Sequence, residues 1–446
     1  MRTTGWLALL ALQVLVIAGF WLWGHGHHPL GNQLLGDPAG QLLAWGRLAG
    51  LLAAFGCLLQ VNLVGRLRWV EQAFGLDRLT RLHHVTGFCL VALLAAHPVL
   101  VTFGRAQINQ VSCWAQFTDF CRTWEDVLAA AIGLGVLLAA VGLSITIIRR
   151  RLRYETWHAT HLAIYIALAL VLGHQISVGG DLASKPVFRA YWLALYAFTF
   201  ANLLGYRVVR PLRNFRRHRF TVARLTPETA DVTSVHIEGR DLTRFRAEAG
   251  QFVLVRFLAP GFRWETHPFS ISQLPDGREI RLTIKQLGDY TRRIPALPPG
   301  TRVIIDGPHG IFTARRAQAP RVLMIAGGIG ITPIRAVAEA LLAAGREIVL
   351  VYGNRDRASI AFYDELERLA AFSGGRLRVV HVLSADPAWS GEKGYIDGPC
   401  LARLVPDLRE CDIYLCGPPP MMRLVRPALR TAGVPKCRIF DERFSL

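Results

Sequence analysis

The sequence lacks internal repeats and low-complexity segments, which argues against a solenoid or a disordered chain. Acidic residues are also scarce: 32 Asp and Glu stand against 51 Lys and Arg, which leaves a formal charge of +19. Such an excess of positive charge often indicates nucleic-acid binding. Much of it, however, lies in short arginine clusters between apolar runs, which is typical of membrane proteins. We therefore expect no nucleic-acid partner.

A convincing signal-peptide cleavage site is also missing after the first apolar run, Trp6 to Trp23, so we interpret that run as a membrane helix. Hydrophobic residues make up 52% of the chain. Their long runs fill the first half, in six segments of membrane-spanning length near 6–23, 41–62, 82–103, 126–147, 156–177 and 188–208. The sequence thus predicts a bundle of six spans in a lipid bilayer over residues 1–210.

Charge sorts the connections between these spans into two groups. On one side, residues 24–39 hold no Lys or Arg, and the other loops hold only Arg105, Arg122 and Lys185. The opposite side carries the arginine clusters: Arg66, Arg68, Arg78, Arg81, Arg149, Arg150, Arg151, Arg153, Arg207, Arg210, Arg213, Arg216, Arg217 and Arg219. The positive-inside rule makes this side cytoplasmic, together with the chain after the sixth span. We expect an integral protein of a bacterial inner membrane.

Two of the predicted spans carry a histidine near each end, and histidine within a membrane helix is rare and usually functional. In the third span, the spacing of His83 and His97 brings them to within about 40° of each other around the helix. The fifth span holds His161 and His174. A single histidine is best explained by a hydrogen bond across helices, but four at matched depths favour axial ligation of two haems. Because spans three and five run in the same direction, we expect His83 to pair with His161 and His97 with His174.

Neighbouring histidines leave alternatives open. His84 lies about 140° from His97 on an ideal helix, which favours His83 as the ligand. In the fifth span the same reasoning counts against a common face for His161 and His174. That helix must be distorted, or its rings must approach from different sides, and His158 remains an alternative ligand.

Two further features of the outer side carry predictions. Arg47, near the outer end of the second span, either snorkels to the surface, pairs with a haem propionate or attracts an anionic acceptor. Cys113 and Cys121 flank a short outer segment, where an oxidising compartment favours a disulfide between them.

After the basic stretch RPLRNFRRHRF the pattern changes to short alternating strands: FTVARLT, DVTSVHIEG, QFVLVRF, EIRLTIKQL and RVIIDG. They predict a small antiparallel β-barrel over 211–318. From Arg321 buried strands alternate with helical stretches, which predicts an α/β domain with a parallel sheet over 319–446. The glycines of GGIG allow a backbone to approach phosphate at a helix N-terminus, although this turn alone is a weak signal.

Four motifs occur in order in this half: HPFS (His267 to Ser270), IKQLGDYT (Ile284 to Thr291), GGIGITP (Gly327 to Pro333) and CGPPPM (Cys416 to Met421). Together they resemble the ferredoxin–NADP reductase family, and HPFS is closest to the branch fused to ferric-reductase transmembrane domains. LHHVTG with His97, and YETWHATH with His174, look like the haem-bearing helices of the NADPH oxidase and ferric reductase superfamily. The resemblance covers nearly the whole chain. It implies a multi-domain membrane protein: a six-helix transmembrane haem-binding bundle, an antiparallel β-barrel FAD domain and an α/β nucleotide-binding domain.

The resemblance also assigns cofactor-binding roles to the motif residues. Those expected to line the flavin are His267, Pro268, Phe269 and Ser270, with the Ser270 hydroxyl near the reactive nitrogen. Those expected to hold the FAD pyrophosphate are Lys285, Gly288 and Thr291. Those expected to bind NADPH or NADH are Gly327, Gly328, Gly330, Thr332, Gly417 and Pro418.

The remaining roles concern the two ends of the nicotinamide nucleotide. Cys416 is expected beside the nicotinamide, unless it is a buried packing residue. Glu442 and Phe444 match the family's E-x-F, whose aromatic ring stacks on the flavin until nicotinamide displaces it. Arg355 is a candidate partner for a 2′-phosphate, although similar sequences occur in relatives that use NADH.

The resemblance implies electron transfer from cytoplasmic NAD(P)H through FAD and two b-type haems to an outer acceptor, either O2, reduced to superoxide, or ferric iron. In animal NADPH oxidases a histidine one turn beyond the outer ligand accompanies an arginine like Arg47. Val101 stands there in this chain, which weakens the prediction of superoxide. The alternative is an electron-donor subunit that reduces an extracytoplasmic partner protein, although the outer loops are short for docking.

Overall fold

The computed structural model describes residues 2–26, 37–145, 154–178 and 180–443, in two compact units, Met1–Gly205 and Tyr206–Leu446. The helices of the first unit are α1 (Arg2–Gly26), α2 (Pro38–Val64), α3 (Arg68–Phe74), α4 (Leu76–Asn109), α5 (Cys113–Thr123), α6 (Val127–Ser144), α7 (Tyr154–Leu162), α8 (Ile164–Ser177), α9 (Gly180–Ala183) and α10 (Pro186–Leu204).

Within these described residues, six helices are long and apolar enough to cross a membrane. They are Gly5–Trp23, Pro38–Val64, Arg78–Asn109, Val127–Ser144, Thr156–Ser177 and Pro186–His218. Each overlaps one of the six segments predicted from the sequence. The third is longer than predicted, because α4 begins at Leu76 and continues past residue 103 to Asn109, with Pro98 inside it.

Small residues allow α2 and α4 to lie close together. A Cβ built on Gly46 would lie 2.8 Å from Cγ2 of Val101, and one built on Gly104 would lie 2.8 Å from the carbonyl oxygen of Ala39. In lipid, where burying apolar surface gives little driving force, such close approach supplies the packing contacts between helices. The positions along α4, including that of His97, are therefore set by α2.

The predicted disulfide is wrong. Cys113 and Cys121 lie on the same helix, α5, which the sequence analysis does not predict, and both are free. Eight residues of α-helix separate them by about 12 Å along the axis. A disulfide needs Cα atoms within about 7 Å, so the helix holds the two thiols apart.

The second unit contains twelve strands and six α-helices among its described residues. The strands are β1 (Thr221–Thr229), β2 (Val232–Glu238), β3 (Phe252–Phe257), β4 (His267–Ser270), β5 (Glu279–Lys285), β6 (Val303–His309), β7 (Arg321–Gly327), β8 (Glu347–Asn354), β9 (Leu377–Leu383), β10 (Glu392–Lys393), β11 (Asp412–Cys416) and β12 (Ile439–Glu442). The helices are α11 (Arg210–His218), α12 (Asp289–Arg292), α13 (Ile331–Ala343), α14 (Tyr363–Phe372), α15 (Gly398–Leu404) and α16 (Pro419–Thr431).

These strands form an antiparallel part followed by a parallel part. Two antiparallel sheets, β1-β2-β5 and β4-β3-β6, are joined at their edges by single bridges, Thr221 to Arg302 and Ile271 to Leu282. The third sheet, β10-β9-β8-β7-β11-β12, is parallel throughout. Its central strands β7 and β11 are buried almost without interruption, as expected when helices cover both faces. The change from antiparallel to parallel strands falls between β6 and β7.

We predict that Cys113 and Cys121 remain free thiols in the purified protein. Alkylation without prior reduction should give a peptide that carries two alkyl groups, because the helix keeps the sulfurs apart. Mass spectrometry checks this, with the exposed Cys437 as the positive control and the buried Cys57 as the slow-reacting one. An unalkylated peptide lighter by two hydrogen atoms would contradict the prediction.

Candidate functional site

The four predicted histidines lie in two facing pairs. His83 and His97 are on α4, His161 is on α7 and His174 is on α8. The ring centres of His83 and His161 are 6.2 Å apart, and those of His97 and His174 are 6.3 Å apart. Two imidazoles bound on opposite sides of one metal ion would have ring centres about 6.2 Å apart, because each metal–nitrogen bond is about 2.0 Å and each nitrogen lies about 1.1 Å from its ring centre. Both pairs therefore have the spacing of two ligands to one metal ion.

The fifth span is broken between its two histidines, as the sequence required. α7 and α8 are separated by Ala163, whose amide donates to the carbonyl oxygen of Thr160 at 3.2 Å. This three-residue turn is wound more tightly than an α-helix, so the span departs from ideal helix geometry. The rings of His161 and His174 both meet partners on α4.

His97 is oriented by two glycines on α2. Its Nδ1 lies 2.8 Å from the carbonyl oxygen of Gly46. Because a carbonyl oxygen only accepts, Nδ1 carries the proton and Nε2 keeps its lone pair for a metal. Gly50 supplies the space for the ring, since a Cβ built there would lie 2.6 Å from Nδ1 of His97.

Ser144, at the end of α6, has the same effect on His161. Its hydroxyl donates to the carbonyl oxygen of Ala140 at 2.7 Å. Its oxygen accepts from Nε1 of Trp157 at 3.1 Å and lies 3.2 Å from Nδ1 of His161. Because the hydroxyl proton is already engaged, Nδ1 of His161 is the donor and Nε2 is left free. Ser144 could not be identified from the sequence, because this contact joins two different helices.

The neighbouring histidines lie elsewhere. His84 and His158 are exposed, whereas the four paired histidines are half-buried. The amide group of Gln60 lies 2.5 Å from Nδ1 of His83. Within the described part of the chain, Nδ1 of His174 has no hydrogen-bond partner.

The second pair of histidines opens onto a cavity of about 450 Å³, a size typical of small-molecule and cofactor sites. His97, His174, Arg47 and Val101 all line it. The guanidinium of Arg47 lies beside the start of α9, since its Cζ is 3.8 Å from a Cβ built on Gly180. The structure thus places Arg47 and Val101 on the same cavity as this pair.

In the second unit, the HPFS motif forms β4, and its histidine is held by an aromatic and an acidic neighbour. The ring of His267 lies 4.0 Å from that of Tyr290, and its Nε2 lies 3.1 Å from Glu265. Burial and the charge of Glu265 raise the pKa of Tyr290, so its hydroxyl stays protonated. No described residue hydrogen-bonds to that buried hydroxyl, which fits a site where a cofactor supplies the partner.

The other motif residues are the exposed Pro268, the half-buried Phe269 and the buried Ser270.

The residues predicted for the FAD pyrophosphate differ in what they contact. Lys285, at the end of β5, places Nζ 3.3 Å from Asp231 on the wall of a cavity of about 880 Å³. The hydroxyl of Thr291 accepts from the amides of Leu287 and Gly288 at 2.9 and 3.0 Å. Thr291 therefore shapes the turn around Gly288, whereas Lys285 brings positive charge to the cavity.

The glycines of GGIG have separate roles at the carboxyl end of β7. A Cβ on Gly327 would lie 2.6 Å from Sδ of Met421, and one on Gly330 would overlap the carbonyl group of Cys416. These two glycines allow close packing against the neighbouring strand and helix. Gly328 has φ +51°, and a Cβ there would meet nothing within 4 Å. Its backbone therefore faces open space, where a phosphate can approach.

The 880 Å³ cavity brings several predicted residues together: Lys285, Gly327, Gly328, Arg355 and Pro418. Tyr395, which is 76% exposed, also lines it and was not anticipated from the sequence. The hydroxyl of Thr332 donates to the carbonyl oxygen of Ile329 at 2.9 Å and caps the turn rather than facing the cavity.

The end of the parallel sheet holds the last predicted residues. Cys416 and Glu442 are paired on the adjacent strands β11 and β12. Cys416 is fully buried, Glu442 is half-buried, and Gly417 follows Cys416 beside Met421. Phe444 lies outside the described residues.

Three segments of the chain match known families. Residues 49–172 match the family described as ferric reductase like transmembrane component, 215–312 match an FAD-binding domain, and 324–427 match an oxidoreductase NAD-binding domain. The chain has the domain architecture of the NADPH oxidase and ferric reductase superfamily. The transmembrane match includes His83, His97 and His161 and ends two residues before His174.

Individual proteins are similar to about half of the chain. Ferredoxin–NADP reductase B from Sorangium cellulosum is 32% identical over 235 residues, 49% of this chain and 93% of that protein. A flavohemoprotein from Burkholderia sp. is 30% identical over 227 residues, 49% of this chain and 56% of that protein. A solved structure, the FAD/NAD-binding domain of nitric oxide dioxygenase from Vibrio cholerae, covers 51% of this chain and 99% of that one at 25% identity and TM-score 0.46. This superfamily member is an NAD(P)H-dependent oxidoreductase with FAD- and NAD-binding domains.

We predict that Gly50→Ala destabilises the membrane half, because the new methyl group would press on the His97 ring. Overpacking of this kind costs about 1–3 kcal/mol, and thermal unfolding in detergent measures it. Gly135→Ala is the matched control, since a Cβ there meets nothing within 4 Å and alanine favours a helix by about 1 kcal/mol. Equal effects of the two substitutions would contradict the close approach of Gly50 and His97.

Proposed function

We propose that this protein transfers electrons from NAD(P)H through FAD and two b-type haems across the membrane to an acceptor, O2 or ferric iron. His83 and His161 would hold one haem, and His97 and His174 the other. The ring-centre separations of 6.2 and 6.3 Å carry this proposal, because they match two axial imidazoles on one metal ion.

The composition of the donor set also supports haem. Among the residues described, no three His, Cys, Asp or Glu side chains converge as they would around a zinc ion. Each pair would supply two nitrogen ligands, so the remaining donors to the metal would have to come from another group, such as a porphyrin. The surroundings of the second pair are mostly apolar side chains, as suits a macrocycle.

The protein residues then set orientation and access, while the bound haems and FAD supply the one-electron chemistry. The carbonyl oxygen of Gly46 accepts a hydrogen bond from Nδ1 of His97, and the hydroxyl oxygen of Ser144 accepts one from Nδ1 of His161. In both histidines Nε2 is therefore left free to bind a metal. Arg47 would attract an anionic propionate or acceptor to the cavity beside the second pair. Val101, on the same wall, offers no polar group to a bound acceptor.

The arginine clusters of the sequence support a cytoplasmic position for the second unit. Electrons would then enter at His83 and His161, near Arg81, and leave at His97 and His174, about 21 Å further along α4. The alternative acceptor, an extracytoplasmic protein in place of O2 or ferric iron, is distinguished by the turnover measurements with purified protein.

Replacing His83, His97, His161 or His174 singly with leucine should each remove one haem, because a haem iron with a single axial ligand is held more weakly. Haem content and the bis-histidine spectrum of the purified protein provide the measurement. His84→Leu and His158→Leu are matched controls, since both side chains are exposed, and both should keep the full haem content. Full haem content and an unchanged spectrum in all four ligand variants would refute the assignment.

The acceptor should be identified by steady-state turnover of the purified protein with NADPH and with NADH. Turnover in air that superoxide dismutase abolishes in a cytochrome c assay indicates O2, and anaerobic turnover that requires a ferric chelate indicates iron. Reduced haem without turnover in either condition indicates a protein acceptor. Haem that neither nucleotide reduces would refute the transmembrane electron path itself.

A further inference from the structure

Glu365, on α14, joins two parts of the second unit. Its carboxylate accepts two hydrogen bonds from Arg281 on β5, at 2.7 and 2.9 Å, and one from Nε of Arg335 on α13, at 2.8 Å. Both arginines also donate to the carbonyl oxygen of Ser272, at 3.2 and 3.0 Å. β5 and Ser272 belong to the antiparallel part, whereas α13 and α14 flank the parallel sheet. One carboxylate therefore ties the two parts together.

The arginines of this cluster are largely removed from water, the two carboxylates are half-buried, and their charges balance one another. Arg281 is 5% exposed, and the side chain of Arg335 is 14% exposed. Glu339 pairs with Arg335 at 3.1 Å, so two cations meet two anions. Burial alone raises the pKa of Glu365, but the hydrogen bonds from Arg281 and the charge of Arg335 outweigh it and lower that pKa. The carboxylate thus stays ionised, and its arginine partners stay bound across the neutral pH range.

The cluster is close in sequence to the segments predicted to bind both cofactors. Ser272 follows Ser270, the end of the flavin motif, by two residues, and its hydroxyl is bonded to Thr283 of β5 at 2.8 Å. Arg335 follows Gly330 within the first two turns after the GGIG segment. A shift in this cluster would change the distance between the flavin strand and the turn that approaches phosphate.

We infer that Glu365 is a positioning residue that fixes the FAD domain against the NAD(P)H domain and so sets the rate of hydride transfer between them. In that step NAD(P)H loses a hydride, two electrons with one proton, and leaves as NAD(P)+, while FAD gains the hydride. Rates of such transfers fall steeply when donor and acceptor are displaced by an ångström. The inference rests on the FAD and NAD(P)H sites of the proposed function, and is independent of the haems and of the acceptor.

Glu365→Gln in the full-length protein tests it, because the amide keeps the shape of the side chain but leaves two buried arginines without their shared anion. Anaerobic stopped-flow mixing with NADPH or NADH separates the limiting rate of flavin reduction from the nucleotide Kd. We expect the limiting rate to fall about 10-fold or more, with FAD content unchanged and Kd altered less than about 2-fold. Glu365→Asp, which keeps the charge on a shorter chain, should lose less.

Asp364→Asn is the matched control, since it removes the same charge from the exposed face of the same helix, and should reduce flavin at the normal rate. If Glu365→Gln fails to retain FAD, Arg335→Lys replaces it: lysine keeps the charge but cannot reach Glu365 and Ser272 together, and the same selective loss of rate is expected. A normal limiting rate in the FAD-loaded variant, or a loss confined to Kd, would overturn the inference. Absence of flavin reduction in the unmodified protein would instead refute the proposed function.

Discussion

The separation of about 6 Å between facing imidazole rings is the constraint on which the membrane half is built. To ligate one metal ion, as we propose, two rings on different helices need this spacing in lipid, where water cannot fill a gap or satisfy a misplaced nitrogen. Three local devices meet the requirement. Glycines on α2 let α4 come close, a tight turn at Ala163 breaks the fifth span between its two histidines, and Ser144 accepts a hydrogen bond from Nδ1 of His161.

The same combination of close backbone approach and fixed polar groups recurs in the second unit. Gly327 and Gly330 let the first turn of the nucleotide domain pack against its neighbours, while Gly328 leaves backbone facing open space. Thr291 and Thr332 do not point into the cavity, but their hydroxyls hold the turns that shape it. In both halves, residues that do not face the ligand site hold the backbone around it in place.

The Glu365 cluster adds a connection that neither domain would contain alone. A hydride donor and acceptor on separate domains need a fixed separation, and a buried ion pair with several hydrogen bonds is specific about geometry even where it adds little net stability. Arg281 and Arg335 meet at this carboxylate from two different elements, and both also donate to the carbonyl oxygen of Ser272. The balance of charge lets the cluster stay buried.

The sequence by itself determined the six spans, the order of the antiparallel and parallel parts, the superfamily and the four histidines that the structure brings together in two pairs. These follow from hydropathy, periodicity and short motifs, which are local along the chain. Contacts between distant segments were decided only by the tertiary structure. Ser144 meets His161 and Glu365 meets Arg281 because helices and strands pack together, and Cys113 and Cys121 are kept apart because their connection folds into a helix. No periodicity within one segment contains that information.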